Sequence, residues 1–265
     1  MLRMAHVFAS LLWLTPVQAI AVEVDVELAL MVDVSRSMDT WELELQRRGY
    51  AEAIASDEVI GAIENSFTGR VAITYVEWAG YGLQRVILPW TLIDNRASAE
   101  AAAAQLTAEF SQSLRRTSIS GAIDFARQDM RRNGFEGLRQ VIDISGDGPN
   151  NDGRPVTASR DETIAAGIVI NGLPLMTFDG ASPWGIADLD VYYQFCVIGG
   201  PGAFVVPVTD WAEFPRAVRR KIVLELADMS ETFWHIRSGQ TDNGYDCLIG
   251  EKIREERERM RGDDF

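Results

Sequence analysis

The sequence predicts an α/β fold: a doubly wound, mostly parallel central sheet with one antiparallel edge strand and helices on both faces. Three observations carry that expectation. Continuous apolar runs such as VELALMVDVS (26–35) have the composition of strands buried on both faces. These runs alternate with amphipathic helical patterns, the signature of strand–helix–strand units. A single hairpin signal, AGYG at 79–82, separates two β-rich runs and supplies the antiparallel partner.

The elements follow in chain order. The run at 26–35 is a central strand that ends in polar residues. From Met38 to about Ile63, Trp41, Leu45, Ala53, Ile54 and Ile60 recur at helical spacing and predict one long helix. GRVAITYVEWAG (69–80) and LQRVILPW (83–90) are the two arms of the hairpin, and the alanine-rich ASAEAAAAQLTAEF (97–110) is helical by propensity. ISGAIDFARQDMRR (119–132) is amphipathic, with Ile119, Ile123 and Ala126 on one stripe and Arg131 and Arg132 complementing the dipole of its last turn. RQVIDISGDG (139–148) is a second strand running into a polar loop, and its interior Asp143 reads as a paired structural acid. TASRDETIAAG (157–167) is a helix that stops at Gly167, followed by the strand IVINGLPLM (168–176). A helix around LDVYYQF (189–195), a Gly-Pro turn and the strand AFVVPV (203–208) come next. WAEFPRAVRRKIVLELADM (211–229) closes the domain as a helix.

The 265 residues are 47% hydrophobic, enough for one large core. The net charge of −14 repels phosphate backbones and anionic lipid headgroups, which excludes nucleic acid as a natural partner. Residues 1–21 read as a secretory signal peptide: a short basic start, the apolar stretch VFASLLWLTPV and small residues Val17 and Ala19 at the cleavage positions. No second hydrophobic stretch reaches the ~20 residues that span a bilayer, so the expected product is an exported, periplasmic or secreted domain over 22–236. A mixed-charge tail over 237–265 follows, read as a solvated helix with i,i+4 pairs such as Lys252–Glu256. After export the only histidine is His235, which argues against a Ser-His-Asp triad or a multi-histidine zinc site. Two cysteines, Cys196 and Cys247, are expected to pair in an oxidising compartment and tie the tail back; two unpaired thiols are the alternative.

In a sheet of this kind ligands bind beyond the carboxyl ends of the strands, and three polar clusters fall there. They are Asp33-Val34-Ser35-Arg36-Ser37, the RRTSISGAI loop with Thr117, and DISGDGPNND with Asp147. Each supplies oxygen donors only, which suits a hard cation: Mg²⁺, or Mn²⁺ and Ca²⁺ less selectively. Alternate residues of D-x-S-x-S can converge on one point as a strand turns into a helix. Neutral hydroxyl donors would leave such an ion receptive to an anionic ligand from outside. The competing reading is that Asp33, Ser35 or Ser37 caps the following helix, with Asp39 an ordinary first-turn acid.

These three loops resemble the metal-ion-dependent adhesion site of the von Willebrand factor A domains. That site uses D-x-S-x-S after the first strand, a threonine in the second loop and an Asp-Gly after the fourth strand. Here the matching positions are Asp33, Ser35, Ser37, Thr117 and Asp147, with Ala122-Ile123 after Thr117 and Gly148 after Asp147. The likeness spans about residues 25–230. It is greatest to a bacterial exported branch, through TYVEWAG, DISGDG, INGLP and VIGGPGAF. It implies a Rossmann-like fold and a Mg²⁺ bound directly by Ser35 and Ser37. Thr117 would bind directly or through water, and Asp33 and Asp147 mostly through water. It further implies a protein partner whose acidic side chain completes the ion, no catalysis, and a possible conformational role for the last helix. One departure is that the third loop reads Ser-Gly-Asp-Gly where the family usually has Thr-Asp-Gly.

A Mg²⁺-dependent phosphohydrolase is the rival class, and a fold-only interaction module the third. The enzyme reading wants a second aspartate two residues after Asp33, where Ser35 stands, and a phosphate-binding lysine, of which the chain has only Lys221 and Lys252. GDGPNNDG is not an EF-hand loop, because position six from Asp147 is Asp152 where glycine is required. GGPGAF lacks the Gly-Lys-Ser/Thr ending of a phosphate loop, and Arg261-Gly262-Asp263 is too short a motif to carry weight.

Overall fold

β1 (Val22–Asp33) is the centre of the molecule because its side chains feed two apolar layers at once. Leu28, Leu30 and Val32 face one core and Ala29 and Met31 the other, all fully buried. This is a computed structural model, and it describes residues 21–108, 112–177, 185–227 and 244–262. The signal-peptide reading over 1–21 therefore falls, but for Ala21, outside the described residues, as do His235 and Asp263. No helix of the described residues is long and apolar enough to cross a membrane.

Around β1 the sheet has five strands in the order β3-β2-β1-β4-β5, where β2 is Val71–Trp78, β3 Gln84–Ile93, β4 Phe135–Gly146 and β5 Val169–Pro174. β1 runs parallel to β2 and β4, β4 runs parallel to β5, and β3 is the one antiparallel edge strand. α1 (Thr40–Ile54), α2 (Asp57–Glu64), α3 (Arg96–Leu106) and α7 (Phe214–Leu226) cover one face. α4 (Ile119–Met130), α5 (Val156–Ala165) and α6 (Leu189–Tyr192) cover the other. The crossovers leave β1 in one direction and return to β4 from the other. The crevice between the carboxyl ends of β1 and β4 is thus the switch point of the sheet.

Several elements depart from the sequence expectation for local reasons. The single helix expected over 38–63 is two, because Ser56 restarts the chain: its Oγ accepts from Val59 N–H and donates to the Ala53 carbonyl, and Asp57 and Glu58 occupy the new first turn. AFVVPV lies beside β5 but forms only isolated bridges, Gly172 with Val205 and Leu175 with Val208. The Val206 and Val208 N–H groups reach the Gly172 and Pro174 carbonyls, but the Phe204 N–H goes to the Asn171 side chain. The helix at 189–195 is the short α6 widening into a π-turn at Tyr193–Val197, and a 3₁₀ turn at Trp211–Glu213 precedes α7.

Two buried ionic groups lock the layers together. Arg47 of α1 pairs with Glu77 of β2 at 2.7 Å. Asp143 of β4 pairs with Lys221 of α7, which also pairs with Glu225, so Asp143 is the structural acid the sequence suggested. Cys196 and Cys247 form a disulfide. It holds α8 (Ile249–Gly262) against the domain, so the tail helix is docked rather than solvated all round, and Lys252 pairs with Asp246 rather than Glu256.

Candidate metal centre

The first loop runs from Asp33 to Asp39, and its helix cap is Asp39. The Asp39 carboxylate accepts from Glu42 N–H at 2.9 Å while Glu42 accepts from Asp39 N–H at 2.8 Å, a complete capping box. Asp39 is therefore the cap and not a first-turn acid, and Asp33, Ser35 and Ser37 do not cap α1. Their side chains turn toward one another. Asp33 Oδ1 accepts from Ser35 N–H at 2.7 Å, Ser35 Oγ and Ser37 Oγ lie 3.1 Å apart, and Ser37 Oγ donates to Asp147 Oδ1 at 2.8 Å. Four of the five expected donors thus form one hydrogen-bonded chain across 110 residues of sequence separation.

Thr117 belongs to the second loop, just before Ser118, the N-cap of α4. It reaches the cluster as a wall of the same cavity, about 430 Å³ in volume, that Ser35 and Ser37 line, not through a hydrogen bond to the other four. What fixes its position is Asn151. The Thr117 N–H donates to Asn151 Oδ1 at 3.0 Å and the Thr117 carbonyl accepts from Asn151 N–H at 2.8 Å. Asn150 adds a second clamp by accepting from Ser120 N–H at 3.0 Å. Arg116, directly before Thr117, has φ of 69°, the one non-glycine left-handed residue among those described, and a salt bridge to Asp152 at 2.9 Å holds it there. The sequence reading placed none of Asn150, Asn151 and Asp152. Together they are what joins the second loop to the third.

The electrostatics of the cluster are unbalanced. Asp33 is fully buried and Asp147 only 5% exposed, and in each the Oδ2 atom has no hydrogen-bond partner. Burial, reinforced by the neighbouring Asp147 carboxylate, pushes the Asp33 carboxyl well above the ordinary range. Burial raises Asp147 to about 6, with Glu42 adding to the shift and the Ser37 hydroxyl opposing it. Two adjacent buried carboxylates are costly unless a positive charge sits between them. Among the described residues no three His, Cys, Asp or Glu side chains converge. The donor set is two carboxylates and three hydroxyls, the chemistry of a hard divalent cation.

A family model described as "Protein of unknown function (DUF1194)" matches residues 23–230. The chain belongs to that family. No curated protein matches this DUF1194 chain. Among solved structures it is similar to proximal thread matrix protein 1 (PTMP1) from the mussel byssus, at 13% identity and a TM-score of 0.56 over 78% of this chain and 49% of that one. A second PTMP1 structure, described as having a zinc-occupied MIDAS motif, aligns at 13% identity and a TM-score of 0.52 over 78% and 48%. The pilus adhesin SpaC from Lactobacillus rhamnosus GG aligns at 10% identity and a TM-score of 0.54 over 77% and 31%. The DUF1194 chain spans half or less of these longer chains. At these identities the likeness is one of fold, a mostly parallel five-stranded sheet between two helical layers.

Proposed function

We propose that this protein is an exported protein-binding module in which Asp33, Ser35, Ser37, Thr117 and Asp147 hold Mg²⁺. Mn²⁺ and Ca²⁺ fit the same oxygen donors less selectively. The observation that carries the reading is the pair of buried, partnerless carboxylate oxygens, Asp33 Oδ2 and Asp147 Oδ2, beside two hydroxyls linked to them. A divalent cation bound there would satisfy both oxygens and cancel their repulsion. With three neutral hydroxyls in the set, it would keep an affinity for one more anion, an acidic side chain of a protein partner. The likeness to a byssus matrix protein with a zinc-occupied site and to a pilus adhesin supports a binding role of this kind. The signal-peptide pattern and the Cys196–Cys247 disulfide support export to an oxidising compartment.

No catalytic step is assigned. Lys221 is buried against Asp143 and Glu225, Lys252 pairs with Asp246, and neither lines the cavity where a phosphoryl group would need it. The decisive experiment is titration calorimetry of Mg²⁺ into the mature protein and into Asp33→Ala, Ser35→Ala and Ser37→Ala. Binding to wild type that falls at least about ten-fold in each variant, about 1.4 kcal/mol or more, is the expected result. A wild type that gives no Mg²⁺ heat, or serine variants that bind as wild type does, would sink the assignment.

A further inference from the structure

The chain carries 39 acidic residues against 25 basic ones, yet the mouth of the cavity over the metal loops is basic. Arg36 of the first loop, Arg115 and Arg116 of the second, and Arg254 and Arg257 of α8 all line it, with Glu258 the one carboxylate among the lining side chains. Arg36, Arg115 and Arg116 are exposed. Asp152 lies behind this rim, already engaged by Arg116, Arg254 and the Tyr81 N–H. Burial by itself would raise its carboxyl, but the Tyr81 N–H and the Arg116 guanidinium outweigh that and hold it low.

α8 lies beyond the span that the family model matches, yet it is fitted closely to the third loop. A Cβ at Gly250 would stand 2.1 Å from the Asn150 carbonyl oxygen, so only glycine lets the helix approach this far. Asn150 Nδ2 donates to Glu251 at 2.8 Å, and Arg254 donates to the Asn151 carbonyl at 2.7 Å and to Asp152 at 3.2 Å. The Cys196–Cys247 bond anchors the turn just before the first residue of α8. One turn apart, Arg254 and Arg257 are thereby set on the same side of α8, across the cavity from the serines.

We propose that α8 forms one wall of the binding cleft and that the cleft takes a protein segment bearing several carboxylates. One carboxylate would meet the metal, while its neighbours pair with Arg254 and Arg257. The inference rests on the metal reading above and adds to it the class of partner and two residues that select it. A cavity of about 430 Å³ is in the size range that encloses a whole ligand, so a lone carboxylate leaves most of it unfilled. The rim uses arginine throughout, whose planar fork suits bidentate carboxylate pairing. A long nucleic acid would meet the acidic surface outside the cleft, whereas a short acidic segment need not.

The test uses two labelled peptides of about ten residues, one with four aspartates and one with a single aspartate, titrated by fluorescence anisotropy into the mature protein in Mg²⁺. The four-aspartate peptide is expected to bind roughly ten-fold tighter, and the gap is expected to narrow as salt rises. Arg257→Gln, which leaves the Arg254 ties to the third loop in place, is expected to weaken that peptide by about three- to five-fold with Mg²⁺ affinity unchanged. Arg254→Gln/Arg257→Gln should bring the two peptides level. Equal affinities in wild type, a preference that survives the double variant, or stronger competition by a short oligonucleotide than by the acidic peptide would each overturn the proposal. Calorimetry on the same samples separates this from failure of the metal reading, which would appear as no Mg²⁺ binding by wild type.

Discussion

Gly146 is the position where one methyl group would do most to the site. It ends β4 immediately before Asp147, and a Cβ there would stand 3.0 Å from Asp33 Oδ2 and 2.9 Å from Tyr193 Oη. Both neighbours are fully buried, so neither can swing away without moving its own surroundings. Gly146→Ala is therefore expected to displace the Asp33 carboxylate, lowering Mg²⁺ affinity at least about ten-fold while costing about 1–3 kcal/mol of stability from overpacking. Calorimetry and urea unfolding on the same variant check both halves, and unchanged Mg²⁺ binding would refute the account. The meeting of Asp33, Ser35, Ser37 and Asp147, with Thr117 on the same cavity, was legible in the sequence because polar residues at strand ends converge at one edge of such a sheet. Asn150 and Asn151 were not, since asparagines following Gly148-Pro149 are ordinary turn composition. Their role as clamps exists only once Thr117 and Ser120 are brought opposite them.

At the scale of elements, β1 and β4 were readable because burial on both faces demands continuous apolar runs, and the hairpin was readable from its glycines. Elements whose ends depend on a competing hydrogen bond were not. Ser56 divides α1 from α2, and Asn171 takes the N–H that a sixth strand would have used. The packing of α7 on the sheet turns on a further feature hidden from sequence, the buried group of Asp143, Lys221 and Glu225. Burial, with Asp143 adding to it, pushes Glu225 up to about 7, against the opposing pull of Lys221 and Asn171. An unfolded glutamate releases its proton near 4.5, so between these values the folded state binds more protons, and stability falls as pH rises through the window. Wild type is expected to lose on the order of 1–3 kcal/mol from this group between pH 4.5 and 7.5. Glu225→Gln should remove that share of the slope, measured as urea midpoints at the two pH values in saturating Mg²⁺. A slope as steep as that of wild type would show that the group does not titrate there.

At the scale of the whole molecule, the domain and its C-terminal helix are two parts joined by a small number of ties. The five proposed metal donors lie between residues 33 and 147, and Asn151 holds Thr117 through its N–H and Oδ1, while Arg254 of α8 engages only its carbonyl. The helix depends on Gly250, Glu251, Arg254 and the disulfide for its seat. Breaking the Cys196–Cys247 bond frees a closure across 51 residues, which the chain-entropy model values at about 4 kcal/mol. Cys247→Ser is expected to lower the unfolding midpoint and to raise amide exchange selectively over 249–262, because the remaining polar ties are partly exposed and individually weak. Mg²⁺ affinity should hold within about three-fold, since no donor moves with the helix. The preference for the four-aspartate peptide should disappear, since Arg254 and Arg257 leave the cleft with it. A variant that loses Mg²⁺ binding along with the helix would mean instead that α8 supports the third loop itself, through Asn150 and Asn151, and that the metal site and the acidic cleft are one cooperative unit.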